Sequence, residues 1–283
     1  MTFHAEPNIY VSQIELKVQD LQRSLDFYQN IIGFKILNQT EQKAVLTADG
    51  NTPLVTIEQL ENIIPKQPRT TGLYHYALLL PSRADLARII QHFIKTQFPL
   101  QGASDHLVSE ALYLADPDGN GIEIYSDRPA SQWEWKSGEV AMDTRPLDIE
   151  GILADGDEKP WTGLPSGTIM GHIHLHVSEL KKTEEFYCNG LQFDVVTRYG
   201  GQALFISTGK YHHHIGLNTW AGIGAPAPAE NSVGMSAFTI VFPSETVRDE
   251  AIGRLRQMGV TISEDKNVFI AYDPSGNRMK LTV

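Results

Sequence analysis

The histidines of this chain are unevenly placed. Three alternate along one short run, His172, His174 and His176, and three are consecutive at His212-His213-His214. Alternation puts the first three on one face of a strand. Imidazoles aimed one way, with a second run to meet them, fit a polar cavity better than a solvated surface. Elsewhere His75 opens the apolar stretch HYALLL, and Glu123 sits in Gly-Ile-Glu-Ile-Tyr. A carboxylate buried in such a strand costs several kcal/mol unless a cation or strong donors meet it. Imidazoles together with a carboxylate make a donor set for a divalent metal, and the chemistry on offer is Lewis-acid or redox chemistry at an ion.

These residues lie in repeats. Val18–Phe34 (VQDLQRSLDFYQNIIGF) matches Val177–Phe193 (VSELKKTEEFYCNGLQF), sharing the Phe-Tyr pair and the final phenylalanine. DPDGNGIEI from Asp116 matches DPSGNRMKL from Asp273, and HYALLLPS from His75 matches AFTIVFPS from Ala237. Repeats of this size are duplicated supersecondary units that bury their apolar faces on one another. The alignment sets Glu123 against Lys280 and His75 against Ala237. The fourth copy is therefore disarmed, because alanine cannot ligate and an ammonium repels a cation.

Each unit reads as strand, amphipathic helix, then further strands. Period-2 alternation predicts strands at Ile14–Val18, Phe34–Leu37, Ala44–Ala48 and Leu54–Ile57, with Leu21, Leu25, Tyr28 and Ile32 at helical spacing between the first two. The second unit predicts strands at Tyr74–Leu80, Ala111–Ala115 and Gly121–Tyr125, and a helix carrying Leu86, Ile89, Ile90, Phe93 and Ile94. Asp116-Pro117-Asp118-Gly119-Asn120 is a tight turn. The expected fold class is α+β, built of four βαβββ modules. A first half spans 8–128 (modules at 8–65 and 70–128) and a second half 169–283 (modules at 169–220 and 234–283). Residues 129–168 and Ala221–Val233 are Pro/Gly-rich connections, and Trp133, Trp135 and Trp161 in the first of these read as packing residues.

Composition narrows the function classes. A chain of 283 residues, 41% of them apolar, is long enough for two domains of about 140 residues each. A net charge of −11 argues against a nucleic-acid partner. One cysteine, Cys188, excludes an intrachain disulfide and reads as a small buried hydrophobe. The N-terminal run lacks a basic-then-apolar leader and no long apolar span occurs, which predicts a soluble, cytoplasmic protein with no membrane partner.

The module pattern, its fourfold repetition and the DPDGNGIEI ending resemble the vicinal oxygen chelate superfamily, which includes glyoxalase I, antibiotic resistance proteins and type I extradiol ring-cleaving dioxygenases. The resemblance covers nearly the whole chain outside the two connections. In that family paired modules curl into an open barrel that cups a divalent metal, with ligands on a module's first and last strands. The resemblance so implies an α+β fold of four βαβββ modules paired into two open mixed β-barrels with helices outside. Those positions fall on Gln13, His75, His172 and Ala237, and on Glu58, Glu123, the His212–His214 run and Lys280. The resemblance thus implies metal ligands His75, Glu123 and His172.

A closer likeness is to the extradiol, catechol 2,3-dioxygenase-like members. Gly171-His172 and His213-His214-Ile215-Gly216-Leu217 resemble the elements of their ligand and acid/base histidines. Asp105-His106-Leu107-Val108-Ser109, followed by Tyr113 ten residues before Glu123, resembles their other catalytic module. Carried over, His213 is the acid/base group and exchanges roles with His214 if the strand is bulged. Tyr113 bonds the substrate oxygen, and His106 and Asp105 line the substrate site. The implied cofactor is Fe(II), with Mn(II) or another divalent ion accepted by the same set. The substrates would be a small aromatic diol and O2, and the family's habit implies a homo-oligomer, a dimer. This order of modules departs from the family's and requires modules two and three to face each other. Pairing in chain order would instead gather Gln13, Glu58, His75 and Glu123 into a glyoxalase I-like isomerase site for Zn²⁺ or Ni²⁺. It would leave His172 facing only Ala237 and Lys280. A non-catalytic resistance protein that binds its ligand without metal is the third reading.

Overall fold

The computed structural model describes residues 3–156, 159–266 and 268–283. Module one comprises β1 (Tyr10–Lys17), α1 (Leu21–Phe27) running into a wider π turn at Tyr28–Ile32, β2 (Lys35–Gln39), β3 (Lys43–Thr47) and β4 (Val55–Glu58). Module two follows with β5 (Gly72–Leu79), α2 (Arg83–Thr96), β6 (Gly102–Asp105), β7 (Ser109–Ala115) and β8 (Gly121–Asp127). The connection holds a small hairpin, β9 (Trp135–Lys136) and β10 (Glu139–Val140), and a short helix, α3 (Ile149–Ala154). Module three contains β11 (Ile169–His176), α4 (Leu180–Glu184) with a second π turn at Glu185–Gly190, β12 (Asp194–Tyr199), β13 (Ala203–Ser207) and β14 (Ile215–Asn218). Module four contains β15 (Gly234–Val241), α5 (Glu245–Gln257), β16 (Ser263–Asp265), β17 (Val268–Tyr272) and β18 (Arg278–Thr282).

The repeated motifs have local causes. The Pro-Ser that ends each matched strand supplies a helix cap: Ser82 accepts from the Asp85 amide and Ser244 from the Val247 amide. Each cap is worth about 1 kcal/mol. Along α2, Leu86, Ile89, Ile90 and Phe93 are buried as their spacing predicts. Ile94, expected on the same face, is instead 62% exposed in the final turn.

The strands form two eight-stranded sheets, ordered β12-β13-β14-β11-β5-β8-β7-β6 and β16-β17-β18-β15-β1-β4-β3-β2. Modules two and three thus share one sheet and modules one and four the other, joined at their centres by the antiparallel pairs β5–β11 and β1–β15. One face of each strand turns to the helices: Tyr76, Leu78, Leu112, Leu114, Ile122, Ile124, Ile173 and Leu175 all belong to the main core. The opposite face of the same strands carries the polar residues.

The two sheets are stapled by a duplicated contact. Tyr28 of module one donates to the Asp116 carboxylate of module two at 3.0 Å, and Tyr187 of module three donates to Asp273 of module four at 3.2 Å. The same carboxylates order their own turns: Asp116 accepts from the amides of Asp118 and Asn120, and Asp273 from those of Ser275 and Asn277. Burial pushes both carboxyls up, opposed chiefly by the Asn120 and Asn277 donors. The Phe-Tyr pair and the Asp-Pro-x-Gly-Asn turn are thus two ends of one bond. Cys188 is partly buried, and burial pushes its thiol up to about 11, which suits a packing residue. Among the described residues no helix is long and apolar enough to cross a membrane.

Candidate metal centre and its cavity

The strand register builds the site. Across the sheet of modules two and three, His172 pairs with Ala77, Ala77 with Glu123, and Glu123 with Tyr113, so these four side chains form one lateral row. The adjacent row holds His174, His75 and Gly121. Ala77 is too small to fill the gap between His172 and Glu123, and His75 leans over it. Gly121 lies opposite His75, and a Cβ there would fall 2.2 Å from the Tyr74 carbonyl oxygen.

Two bulges aim the imidazoles. Pairing of β5 with β11 skips Gly171 on one strand and Tyr74 on the other, so an unpaired residue precedes each of His172 and His75. A bulge bends its strand and redirects the next side chain. Gly171 is required for a second reason: the Tyr125 hydroxyl would lie 2.0 Å from any Cβ there.

The outcome is a compact trio. His75, Glu123 and His172 each offer a ligand atom within 4.8 Å of the others, and all three are buried. His75 Nε2 and His172 Nε2 lie 3.0 and 3.1 Å from Glu123 Oε2. Burial acts to raise the Glu123 carboxyl, yet the His172 and His75 imidazoles outweigh it and hold the group ionised, well below the usual carboxylate range. Burial pushes His172 down to about 4, opposed by Glu123, so it stands neutral and N–H donation supports the carboxylate. His75 Nε2 is buried but lacks the angle of a hydrogen bond to Glu123. Two imidazoles, one of them held neutral at His172, an ionised carboxylate and an orphaned nitrogen aimed at one point suit a divalent cation, and the residues fit such an ion.

A cavity of about 550 Å³ opens over His75 and Glu123 of the trio and is lined as well by Tyr113, His106 and His213, with Tyr74, Phe205 and Trp220 around it. His213 packs against His172 at a tilt, with ring centroids 4.1 Å apart. Burial, then the neighbouring imidazoles of His172 and His212, hold His213 neutral. Tyr113 lies 2.6 Å from His106 Nε2, while His106 Nδ1 meets the Asp143 carbonyl at 2.8 Å. A carbonyl only accepts, so His106 carries its proton on Nδ1 and Tyr113 donates to Nε2. Burial first, then the Glu123 charge, keep the phenol protonated.

Two residues expected at the site lie apart from the cavity. His214, in the bend just before β14, turns away from the cavity, where its Nε2 meets the Phe3 carbonyl at 3.1 Å and its Nδ1 accepts from the Thr208 amide. His213, and not His214, lines the cavity. Asp105 closes the β6–β7 turn by accepting from the Leu107 amide and from Arg128. Gln13 and Glu58 lie in the other sheet. Gln13 donates to Thr56, and Glu58 pairs with Lys43 at 3.7 Å, so the four-residue set of chain-order pairing is split between two sheets. Sequence reasoning missed Met142, Asp143 and Thr144, which line the cavity from the long connection. Only the polarity of that segment hinted at them. Trp133 packs under it against Val108 and Tyr211.

In the sheet of modules one and four the same positions carry other chemistry. Its bulges fall at Ser12 and Ser236, just before Gln13 and Ala237. Lys280, aligned with Glu123, forms an ion pair with Glu15 where the other sheet gathers its trio. The scaffold is duplicated and the donor set is not.

Comparison with known proteins accords with this geometry. The profile of the Glyoxalase/Bleomycin resistance protein/Dioxygenase superfamily matches residues 10–124 and 169–281. The chain belongs to that superfamily. It is 46% identical over 272 residues to the catechol-2,3-dioxygenase of Bacillus subtilis (strain 168), covering 94% of each chain. Among solved structures, one from the same species superposes with a TM-score of 0.67 at 15% identity, covering 98% of this chain and 86% of that one. Glyoxalase I of Zea mays gives 0.59 at 15% identity, covering 96% and 92%. At those identities the structural likeness concerns the fold alone.

Proposed function

We propose that this chain is an extradiol dioxygenase, which opens a catechol-type aromatic diol with O2 at an Fe(II) ion held by His75, His172 and Glu123. The observation that carries the reading is the convergence of two imidazoles and one carboxylate under a cavity, in a chain 46% identical over 94% of its length to a catechol-2,3-dioxygenase. A bound Fe(II), or Mn(II) in its place, supplies a Lewis acid that acidifies a coordinated hydroxyl and a redox couple that activates O2.

The chain's own groups do the rest. The trio brings one negative charge to a divalent ion, which leaves one positive charge for a diol bound as its monoanion. His213, neutral beside His172, takes the diol's proton on the nitrogen facing the cavity and later returns it to an oxygen of the product. Tyr113, whose proton is committed to His106, presents its oxygen lone pairs to a substrate hydroxyl. His106 holds that phenol and ties it to the Asp143 carbonyl. Phe205, Trp220 and Tyr74 give the ring an apolar wall and exclude water. His214 and Asp105 support the fold around the site and receive no role in the chemistry. We assign the substrates as a small aromatic diol and O2, and the assembly as a homodimer acting in the cytoplasm.

The test is oxygen uptake by protein reconstituted anaerobically with iron, then mixed with aerated catechol. Uptake with formation of a yellow ring-opened product is expected, and His172→Ala should reduce both to background. Undiminished turnover by that variant, or no uptake by iron-loaded protein across a panel of catechols, overturns the reading. Conversion of a thiohemiacetal with Zn²⁺ or Ni²⁺ would favour an isomerase.

A further inference from the structure

Behind the cavity wall lies a line of hydrogen-bonding groups that the reading above does not use. His213 lines the cavity, and its Nδ1 is 2.8 Å from Nδ1 of His212. His212 is fully buried, and its Nε2 is 2.9 Å from Oδ1 of Asp127 at the end of β8. The same oxygen is approached by the Tyr211 hydroxyl, which in turn meets the Tyr125 hydroxyl at 2.6 Å. Trp133, Tyr125 and Tyr211 pack on the His212 ring and hold it in place.

Donor and acceptor rules fix the direction of this line. An ionised carboxylate only accepts, so the His212–Asp127 bond carries its proton on His212 Nε2. A neutral His212 then has a bare Nδ1, and the bond between the two Nδ1 atoms requires the proton to sit on His213. With Nδ1 protonated, His213 is left with a bare Nε2, the nitrogen with no hydrogen-bond partner among the described residues, toward the cavity it lines. We infer that Asp127 and His212 are positioning residues: through two hydrogen bonds they hold His213 in the Nδ1–H tautomer and aim its free Nε2 at the substrate. Free imidazole side chains favour the opposite tautomer, whose Nε2–H could not accept a proton from a diol. When His213 takes that proton on Nε2, its Nδ1–H bond to His212 meets the new positive charge, and Asp127 polarises His212 in the same direction. The proton leaves again from Nε2, so the two supporting residues end each cycle as they began.

The inference rests on the dioxygenase reading only for what the proton does, because the tautomer is a property of the protein itself. The direct test is two-bond ¹H–¹⁵N correlation NMR on metal-free protein labelled at histidine, with His213 assigned by its loss in His213→Gln. Singly protonated rings are expected, His213 on Nδ1 and His212 on Nε2. A His213 protonated on Nε2 alone, or a doubly protonated His212, overturns the inference whatever the activity. The second arm uses iron-loaded enzyme. Asp127→Ala should lower kcat roughly 10- to 100-fold, the range of a general-base contribution partly lost, with KM for catechol and iron content unchanged. Asp127→Glu should restore most of the loss. An unchanged kcat in Asp127→Ala, or a fall matched by lost iron and not rescued by Asp127→Glu, overturns it too. If Asp127→Ala does not fold, the wild-type spectrum and Asp127→Glu decide. Correct tautomers without ring cleavage would remove the proposed function and leave this assignment standing.

Discussion

At the scale of single residues, a buried carboxylate flanked by two imidazoles suits the site to a divalent ion. Binding to the folded chain alone should stabilise it by about 2.7 kcal/mol at a metal concentration 100 times Kd. For a chain of this size that is roughly 5–10 °C in Tm. Calorimetry with and without Fe(II) or Mn(II) checks this, and Glu123→Gln should abolish the shift. Acid should act in the same sense. His172 is lowered to about 4 in the folded chain, while an unfolded histidine titrates near 6.5. The unfolded chain therefore binds the extra proton first, and stability is complete above that value and falls as pH drops toward 4. Urea midpoints of metal-free protein at pH 7 and pH 5 should differ accordingly, by up to ~1.4 kcal/mol per pH unit for this one residue. No difference would mean that His172 is not held neutral. His75 and Glu123 were legible because repetition exposed their disarmed counterparts, Ala237 and Lys280. Asp127 and Asp143 were not, since an acid in a strand end or a polar connection carries no spacing signal.

At the scale of elements, the repeat motifs prove to be capping and stapling devices. The Tyr28–Asp116 and Tyr187–Asp273 bonds lie in separate turns with no shared partner. Tyr28→Phe and Tyr187→Phe should each cost about 1–2 kcal/mol, and the double variant should lose the sum to within about 0.5 kcal/mol. Denaturant unfolding measures all three; a strongly coupled pair would mean that the staples act as one unit. The strands and helices of modules one and two were readable from periodicity to within a few residues at each end, except β6, and the short β9, β10 and α3 lie in what read as a plain connection. The bulges before His75 and His172 were not, because an unpaired residue is visible only against its partner strand. Nor was Ile94's exposure, since a helical stripe does not reveal where the sheet beneath it stops.

At the scale of the whole molecule, the two sheets share a plan and divide the labour. Lys280 answers Glu15 in the sheet of modules one and four, away from the cavity. Lys280→Met should leave kcat with catechol within twofold and cost about 1 kcal/mol of stability as Glu15 loses its partner. A large fall in kcat would mean that the two sheets communicate. That modules two and three face each other could be argued from sequence only by asking which histidines would otherwise be stranded. The interleaving has a consequence for biogenesis. One imidazole and the carboxylate emerge from the ribosome in the first half of synthesis and the other imidazole in the second, so a nascent chain cannot grip its ion until β11 has docked on β5. Cut within the tether at 129–168, the two fragments should each be ion-blind alone and regain the ion only when mixed.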